Sequence, residues 1–318
     1  MSRVHARDEG GMMDAASLVT NILNGLITGA ILGAVASGLT LIWGVMKVVN
    51  LAHGHLAVLG AFLAVILYKY TIGLNPLLAP FAVFIIGVVI GAIFYYTSLH
   101  IIVGKAETMT LKVEMNSLLS TFGFGIAIYG LLSYAIGRGW IAQYEGFTGW
   151  ALKVGGKTYT TILGTNIIYA KLYAVAIAVL LIVAVEMFLR KTIWGLTIRA
   201  VAQDSRAVAL TGYNPVTVKL VTTLLSTAMA LMGGALYAIF VGSGINPDLE
   251  HVLAPLSFVI VVLGGLGSVL GTFIGGLIIG VTNGIVYALT GETAIGLATS
   301  FVILILLLLW KPTGLFGR

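Results

Sequence analysis

The chain has 318 residues, of which 59% are apolar and 9% are charged. An ordinary soluble domain carries about 25% charged residues, so this chain cannot cover a globule of its size with polar side chains, and a soluble enzyme is excluded. Disorder is excluded as well, because it requires low hydrophobicity and high charge. The net charge of +6 is typical of a membrane protein that gathers Lys and Arg beside its spans. The composition predicts an all-α, polytopic helical membrane protein.

Nine stretches are apolar enough to cross a membrane, which takes about 20 residues as a helix. In chain order they are Leu18–Trp43, Leu51–Tyr68, Leu77–Val103, Ser117–Ile136, Ile167–Leu189, Leu220–Val241, Val252–Gly267, Ser268–Leu289 and Ile295–Trp310. Val252–Gly267 and Ile295–Trp310 are short, and Leu51–Tyr68 begins among polar residues. We therefore expect 8–9 transmembrane or re-entrant helices, at least one of them broken. Residues 1–17 are expected to form an N-terminal tail, and residues 18–318 a single transmembrane domain.

The positions of Lys and Arg predict which loops face the cytoplasm. The loop at residues 190–219 contains five of these residues, whereas the turns at residues 242–251 and 291–294 contain none. We therefore expect residues 190–219 to be cytoplasmic. Residues 137–166 then form an extracytoplasmic loop.

Glycines recur at four-residue spacing in three sets. On a helix this spacing places small residues along one face and lets two backbones approach closely. We expect packing within the subunit, with a contact between subunits as the alternative. The glycines are Gly25, Gly29, Gly33, Gly267, Gly271, Gly275, Gly276, Gly280 and Gly284.

Two fragments imitate nucleotide-binding motifs. Residues 155–158 (Gly-Gly-Lys-Thr) end like a P-loop, but that pattern requires a glycine at the position of Ala151. In residues 265–271 the third glycine comes one position too late for a dinucleotide fingerprint. The chain has no cysteine, which removes thiolate and zinc–sulfur chemistry. We expect no ATPase site, no catalytic residue and no metal site.

Residues 50–55 (Asn-Leu-Ala-His-Gly-His) place polar side chains and a glycine where a membrane helix begins or is broken. In lipid, an unwound backbone survives only when it is buried in protein or lines a cavity, and broken helices are where transporters pass substrates. Gly54 permits backbone angles that other residues resist, and Asn50 and His53 can bond the freed backbone groups. We predict the translocation path at Asn50, His53 and Gly54. An ordinary interfacial turn is the alternative.

Four blocks of sequence, in order, carry a family resemblance. They are residues 44–54 (Gly-Val-Met-Lys-Val-Val-Asn-Leu-Ala-His-Gly), residues 195–212 with the run Gly-Leu-Thr-Ile-Arg-Ala-Val-Ala-Gln-Asp, residues 246–276 with Asn-Pro and Val-Leu-Gly-Gly-Leu-Gly-Ser, and residues 311–317 (Lys-Pro-Thr-Gly-Leu-Phe-Gly). Together they resemble the LivH-type permease family of branched-chain amino-acid ABC importers. The resemblance extends over nearly the whole chain, from Gly44 to Gly317.

The resemblance implies a type II-like ABC importer permease that spans the cell inner membrane several times. The implied partners are a second, LivM-type permease subunit, two cytoplasmic ATPase subunits and a substrate-binding protein, with a small-molecule substrate and membrane lipid but no nucleic acid. No cofactor is implied for this chain, because the partner subunits use the ATP.

The resemblance also implies a short cytoplasmic helix that docks into a groove on the ATPase. Residues 194–210 fit one such helix, with Leu196, Ala200, Gln203 and Ala207 on one side. The alternative is a basic loop that fixes the topology alone. The coupling candidates are Arg199, Ala200, Asp204, Arg206 and Gly212.

A stand-alone secondary carrier or channel is the alternative function. Carriers often contain ion-coupling residues inside the membrane, and the apolar runs of this chain contain few ionisable residues. Relatives in the resembling family carry branched-chain amino acids, urea, amides or small organic acids, and a largely apolar path mildly favours leucine-like substrates. The pairing as a heterodimer or homodimer, and the roles of His55 and residues 137–166, stay open.

Overall fold

The computed structural model describes residues 15–104, 106, 109–142, 146–147, 150–241 and 244–317. Residues 1–14 of the predicted tail lie outside this part of the chain, and the first helix already begins at Ala15. The helices are α1 (Ala15–Met46), α2 (His53–Ile66), α3 (Ala79–Phe94), α4 (Leu111–Gly137), α5 (Tyr169–Lys191), α6 (Ile193–Gln203), α7 (Ser205–Leu210), α8 (Pro215–Val241), α9 (Glu250–Gly264), α10 (Val269–Thr290) and α11 (Thr293–Trp310).

Two π-helical segments, Leu67–Thr71 and Tyr95–Gly104, extend α2 and α3, and the 3-10 turn Pro247–Leu249 precedes α9. Within the described residues, nine helices are long and apolar enough to cross a membrane. The predicted polytopic helical fold is thereby confirmed. It arises because a backbone in lipid must satisfy its own hydrogen bonds, which a continuous helix does.

Helices α1 and α8 form the centre of the bundle, and most of their side chains are buried. Helix α1 packs on α8 and α10, while α8 also packs on α2 and α3. Helices α4 and α11 are the least buried spans and expose large apolar side chains such as Leu119 and Leu309. Such a surface suits lipid tails or another membrane subunit.

Glycine brings α1 and α10 together along their length. A Cβ on Gly280 would lie 2.5 Å from the Cα of Gly29, and one on Gly276 would lie 2.5 Å from the Cα of Gly33. Gly25 likewise faces Gly280 and Gly284. The two backbones are in direct contact, so any side chain at these positions would force them apart.

The other predicted glycine set packs elsewhere. Gly271 and Gly275 lie against Gly264 at the end of α9, and Gly267 lies in the turn between α9 and α10, with φ of +90°. One face of α10 therefore packs against α1, and another face packs against α9.

The bundle has two distinguishable ends. At the hairpin end, strands β1 (Tyr159–Ile162) and β2 (Thr165–Ile168) pair between α4 and α5, and Thr165 Oγ1 lies 2.8 Å from Oγ1 of Thr20 on α1. The opposite, α6–α7 end carries the two short helices and the turn between α9 and α10. Over the part of the chain that the structure describes, the fold is thus helical with one small hairpin, which the sequence pattern did not predict.

The P-loop-like fragment lies directly before strand β1 of this hairpin. Val154 and Lys157 form an antiparallel bridge, and Gly155 and Gly156 between them have φ of +57° and +78°. These angles suit a tight turn between strands. The turn therefore accounts for the glycine pair.

Candidate functional site

The first break in the bundle lies at residues 47–52, between α1 and α2. Lys47 has a left-handed φ of +55°, which turns the chain at the α6–α7 end. Helix α2 then begins at His53, whose Nε2 lies 2.9 Å from the carbonyl oxygen of Val35. Val35 precedes Met46, the end of α1, by 11 residues, which is about 16 Å along the helix. Helix α2 therefore begins about halfway through a hydrocarbon core of about 30 Å, and the segment before it is re-entrant.

Side chains satisfy the backbone groups that this break frees. Asn50 Oδ1 accepts a hydrogen bond from the Ala52 N–H at 3.0 Å. Thr121 Oγ1, in the middle of α4, accepts one from the Leu51 N–H at 3.2 Å. Protein groups must supply these partners because the bilayer core contains no water to do so. Asn50 thus holds the non-helical shape of the segment.

Two polar atoms at the break remain without a partner. Asn50 Nδ2 and His53 Nδ1 are buried, and neither has a hydrogen-bond partner among the described residues. Their side chains are 3% and 2% exposed. Buried polar atoms normally have a hydrogen-bond partner. The break therefore holds two polar atoms that can still form hydrogen bonds, close together in the bundle.

Gly54 acts differently from the expectation. It lies inside α2 and is not among the residues with positive φ, so it does not provide unusual backbone angles. A Cβ at Gly54 would instead lie 3.0 Å from the Cα and N of Ala254 on α9. The prediction that Gly54 breaks the helix by its conformational freedom is wrong, because Lys47 makes the turn and Gly54 permits a close approach of α2 and α9.

A second break precedes α9. Helix α9 has 15 residues and is about 22 Å long, which is short of a core of about 30 Å. Its C-terminal end lies at the α6–α7 end of the bundle. A helix of this length that starts there does not reach the opposite membrane surface, so its first residue, Glu250, lies below that surface at the hairpin end. Asn246 Oδ1 accepts from the Leu249 N–H at 3.0 Å and caps the 3-10 turn.

The two breaks meet. His55 Nε2, in the first turn of α2, lies 3.5 Å from Glu250 Oε2, and the other oxygen of Glu250 lies 2.8 Å from His251 Nδ1. Beside them, Tyr129 Oη on α4 donates to Asp248 Oδ1 at 3.0 Å. We call His55, Tyr129, Asp248, Glu250 and His251 the outer cluster. Sequence reasoning left His55 without a role and overlooked both acids.

At the α6–α7 end, the predicted single helix at residues 194–210 is two helices. Asp204 is extended, with φ of −150°, and its Oδ1 accepts from the backbone N–H groups of Arg206 and Ala207 at 2.8 and 3.0 Å. Asp204 therefore ends α6 and caps α7. The prediction of one continuous helix is wrong because the cap bonds of aspartate compete with helix continuation.

The predicted contact side of this segment is nevertheless exposed. Leu196, Ala200, Gln203 and Ala207 line one shallow groove of about 350 Å³ at the junction of α6 and α7. Side chains on the opposite side, such as Val201, are buried against the bundle.

The remaining coupling candidates lie around the same junction. Arg199 is exposed on α6, Arg206 is exposed in the first turn of α7, and Gly212 follows α7 with φ of +87°. That left-handed angle suits glycine at the end of a helix and lets the chain turn into α8.

Lys219 ties this end together, and sequence reasoning missed it. It is 5% exposed, and Nζ donates to the carbonyl oxygens of Val103 at 3.0 Å and Ala106 at 2.8 Å, with Gly104 at 3.5 Å. These carbonyl oxygens lie at the negative end of the helix dipole, which stabilises the positive charge of the lysine. Lys219 therefore fastens α8 to the end of the extended α3.

Comparison with known proteins assigns the fold to a family. The family model described as "Branched-chain amino acid transport system / permease component" matches residues 21–309. The chain belongs to this family. It is therefore a multi-pass membrane permease component of a transport system and not an enzyme, and the family fits a permease component of an ABC importer.

Curated relatives match most of the chain. It is 29% identical to the high-affinity branched-chain amino acid transport system permease protein LivH of Salmonella typhimurium, over 93% of this chain and 94% of the relative. It is 28% identical, with the same coverage, to LivH of Escherichia coli, and 25% identical to the permease protein BraD of Pseudomonas aeruginosa, over 93% and 95%. No solved structure matches the chain.

Proposed function

We propose that this chain is one permease subunit of an inner-membrane ABC importer for branched-chain amino acids. Its partners are a second permease subunit of the LivM type, two cytoplasmic ATPase subunits and a substrate-binding protein. The observation that carries the proposal is the similarity to the LivH and BraD permeases over 93% of the chain. A path between these largely apolar helices would be lined mainly by apolar side chains, which suits a leucine-like substrate.

The α6–α7 pair is the proposed contact with the ATPase. Its groove, lined by Ala200 and Ala207, presents small side chains that a partner surface can approach closely. Asp204 lines this groove, and Arg199 and Arg206 lie on the same two helices, so the segment carries charged groups of both signs, which favours a specific register. The Lys and Arg count of residues 190–219 supports a cytoplasmic position for this end.

The two helix breaks form the proposed translocation path. Asn50 Nδ2 and His53 Nδ1 are buried and lack partners within the described chain, so a solute can bond them once the surrounding helices move apart. Broken helices near the midplane serve this purpose in other transporters. Gly54 contributes by bringing α2 against α9 at the same depth.

Reconstitution tests the proposal. The chain, a LivM-type subunit, the two ATPases and the binding protein are placed in proteoliposomes, and labelled leucine uptake is measured with and without ATP. We expect uptake only when all components and ATP are present. Leucine uptake by the purified chain alone, driven by an ion gradient, would instead establish a secondary carrier. Uptake of urea or a small organic acid in place of leucine would correct the substrate.

A further inference from the structure

The outer cluster carries negative charge at a depth where charge is costly. Glu250 is 14 residues from the far end of α9 at Gly264, which is about 21 Å along the helix in a core of about 30 Å. Asp248 lies within one turn of it. A charged side chain at such depth faces a water-filled cavity or another protein and not lipid.

The cluster is also open to the outside of this chain. Asp248 is exposed, and the side chain of Glu250 is 12% exposed. Both acids belong to the first turns of the segment that starts α9, where the helix dipole stabilises negative charge. The face that carries them is therefore suited to line a polar pathway.

A second observation comes from the buried side of the cluster. His55 is 5% exposed, neither of its ring nitrogens has a hydrogen-bond partner among the described residues, and Nε2 points at Glu250 Oε2 from 3.5 Å. That distance is at the limit of a hydrogen bond, so the contact is weak. His55 packs edge-on against Tyr129 and thus adds a buried polar group that is directed at the carboxylate.

The donor and acceptor inventory selects the ligand. Two carboxylates offer acceptors. Tyr129 already donates to Oδ1 of Asp248, and His251 Nδ1 lies 2.8 Å from Oε1 of Glu250, so the other oxygen of each carboxylate is left for a ligand. A group that brings several N–H donors and a positive charge complements them. Within the described residues no group of three or more His, Cys, Asp or Glu side chains is arranged to hold a metal ion.

We propose that Asp248 and Glu250, with His55 behind them, bind the α-ammonium group of the amino acid as it enters the permease. This inference rests on the proposed function, since it concerns the substrate proposed there. The amino acid's apolar side chain then faces the apolar surface of α4, and its ammonium stays paired with carboxylate while the surrounding water is removed. The permease itself thereby favours amino acids over solutes that lack an ammonium.

The test uses Asp248→Asn together with Glu250→Gln in the complete, reconstituted importer. The readouts are leucine taken up per ATP hydrolysed, and ATP hydrolysis stimulated by the binding protein. We expect uptake per ATP to fall roughly ten-fold, as expected for the loss of a charge-assisted bond, while stimulated hydrolysis persists. Glu250→Asp should restore part of the ratio. Glu292→Gln, an exposed acid at the turn before α11, is the matched control and should leave the ratio unchanged.

A labelling experiment covers the case in which the double variant fails to assemble. The chain has no cysteine, so Ser133→Cys, one turn from Tyr129 on α4, introduces a single thiol beside the cluster. We expect a cationic thiol reagent to react faster than an anionic reagent of similar size, and Glu250→Gln to reduce that difference.

The outcomes separate the two proposals. A wild-type complex that takes up no leucine overturns the proposed function. A wild-type complex that transports leucine, combined with an unchanged uptake ratio in the double variant, overturns the ammonium site alone. Equal labelling by the two reagents, or a thiol inert in every state, also overturns it, because the face is then neither negative nor wet.

Discussion

Replacing Lys219 with methionine tests how the α6–α7 end is held together. Methionine keeps an unbranched stem of similar length and removes only the ammonium. The change leaves the carbonyl oxygens of Val103 and Ala106 without their donor, and the bonds they lose are 3.0 and 2.8 Å long. The contact with Gly104, at 3.5 Å, is at the limit of a hydrogen bond and adds little.

The size of the effect follows from these contacts. A hydrogen bond to a charged group contributes about 1.5–3 kcal/mol, so two contribute about 3–6 kcal/mol. Part of this is offset, because the variant no longer buries an ammonium. We therefore expect Lys219→Met to destabilise the folded chain by about 2–4 kcal/mol, and to reduce coupled transport through loosening of α8 from α3.

The assay is thermal unfolding of the purified complex in detergent, followed by leucine uptake in proteoliposomes. Lys112→Met is the matched control, since Lys112 is exposed at the start of α4 and its loss should change neither quantity. An unfolding midpoint in Lys219→Met equal to that of the wild type would refute the reasoning. It would mean that the three carbonyl oxygens find other partners at no cost.

Three further changes test the other parts of the structure. Gly280→Ala should lower the thermal midpoint of the complex, because the added Cβ forces α1 away from α10 at a cost of about 1–3 kcal/mol. Gly123→Ala, in open space on α4, should be neutral or stabilising. Equal effects of the two changes would place both glycines at unpacked surfaces. Asp204→Lys should abolish transport-coupled ATP hydrolysis. Asp204→Asn retains the cap of α7, so its effect shows whether the charge itself contacts the ATPase. Wild-type coupling in the lysine variant would show that this segment is not the docking site. Asn50→Leu and His53→Leu should each reduce leucine uptake in complexes that still assemble, and normal uptake by both would show that the break serves packing alone.

The sequence predicted the spans well because the membrane leaves few choices. A long apolar run in lipid must become a helix to satisfy its backbone, and each of the nine predicted stretches overlaps a helix of the structure. Boundaries were less certain. Helix α9 begins at Glu250 and not at Val252, because the first turn of a helix tolerates acids that a hydropathy pattern excludes.

The glycine spacing predicted close helix packing but not which helices meet. Period-four glycines define a face within one helix, and the partner of that face depends on the fold. The structure pairs Gly29 with α10 and Gly271 with α9. Nothing in the local pattern distinguishes these two partners.

The contacts that shape the candidate site join distant parts of the chain. Lys219 bonds Val103 at a separation of 116 residues, and His55 meets Glu250 across most of the chain. Periodicity and motif spacing describe neighbours within about two helical turns, so neither contact is visible in them. The split at Asp204 is different, since an aspartate followed by a short apolar turn is a known cap signal that was available in the sequence.

Helix α8 connects the α6–α7 end to the first break. Helix α8 follows α7 after four residues and carries Lys219 in its second turn. In its middle, Ser226 Oγ donates to the Gly38 carbonyl oxygen at 2.6 Å, beside the ring of His53. With 27 residues, or about 40 Å, α8 is long enough to reach from the α6–α7 pair to the hairpin end. A displacement of the α6–α7 pair that moves α8 as a rigid body therefore reaches the first break at His53.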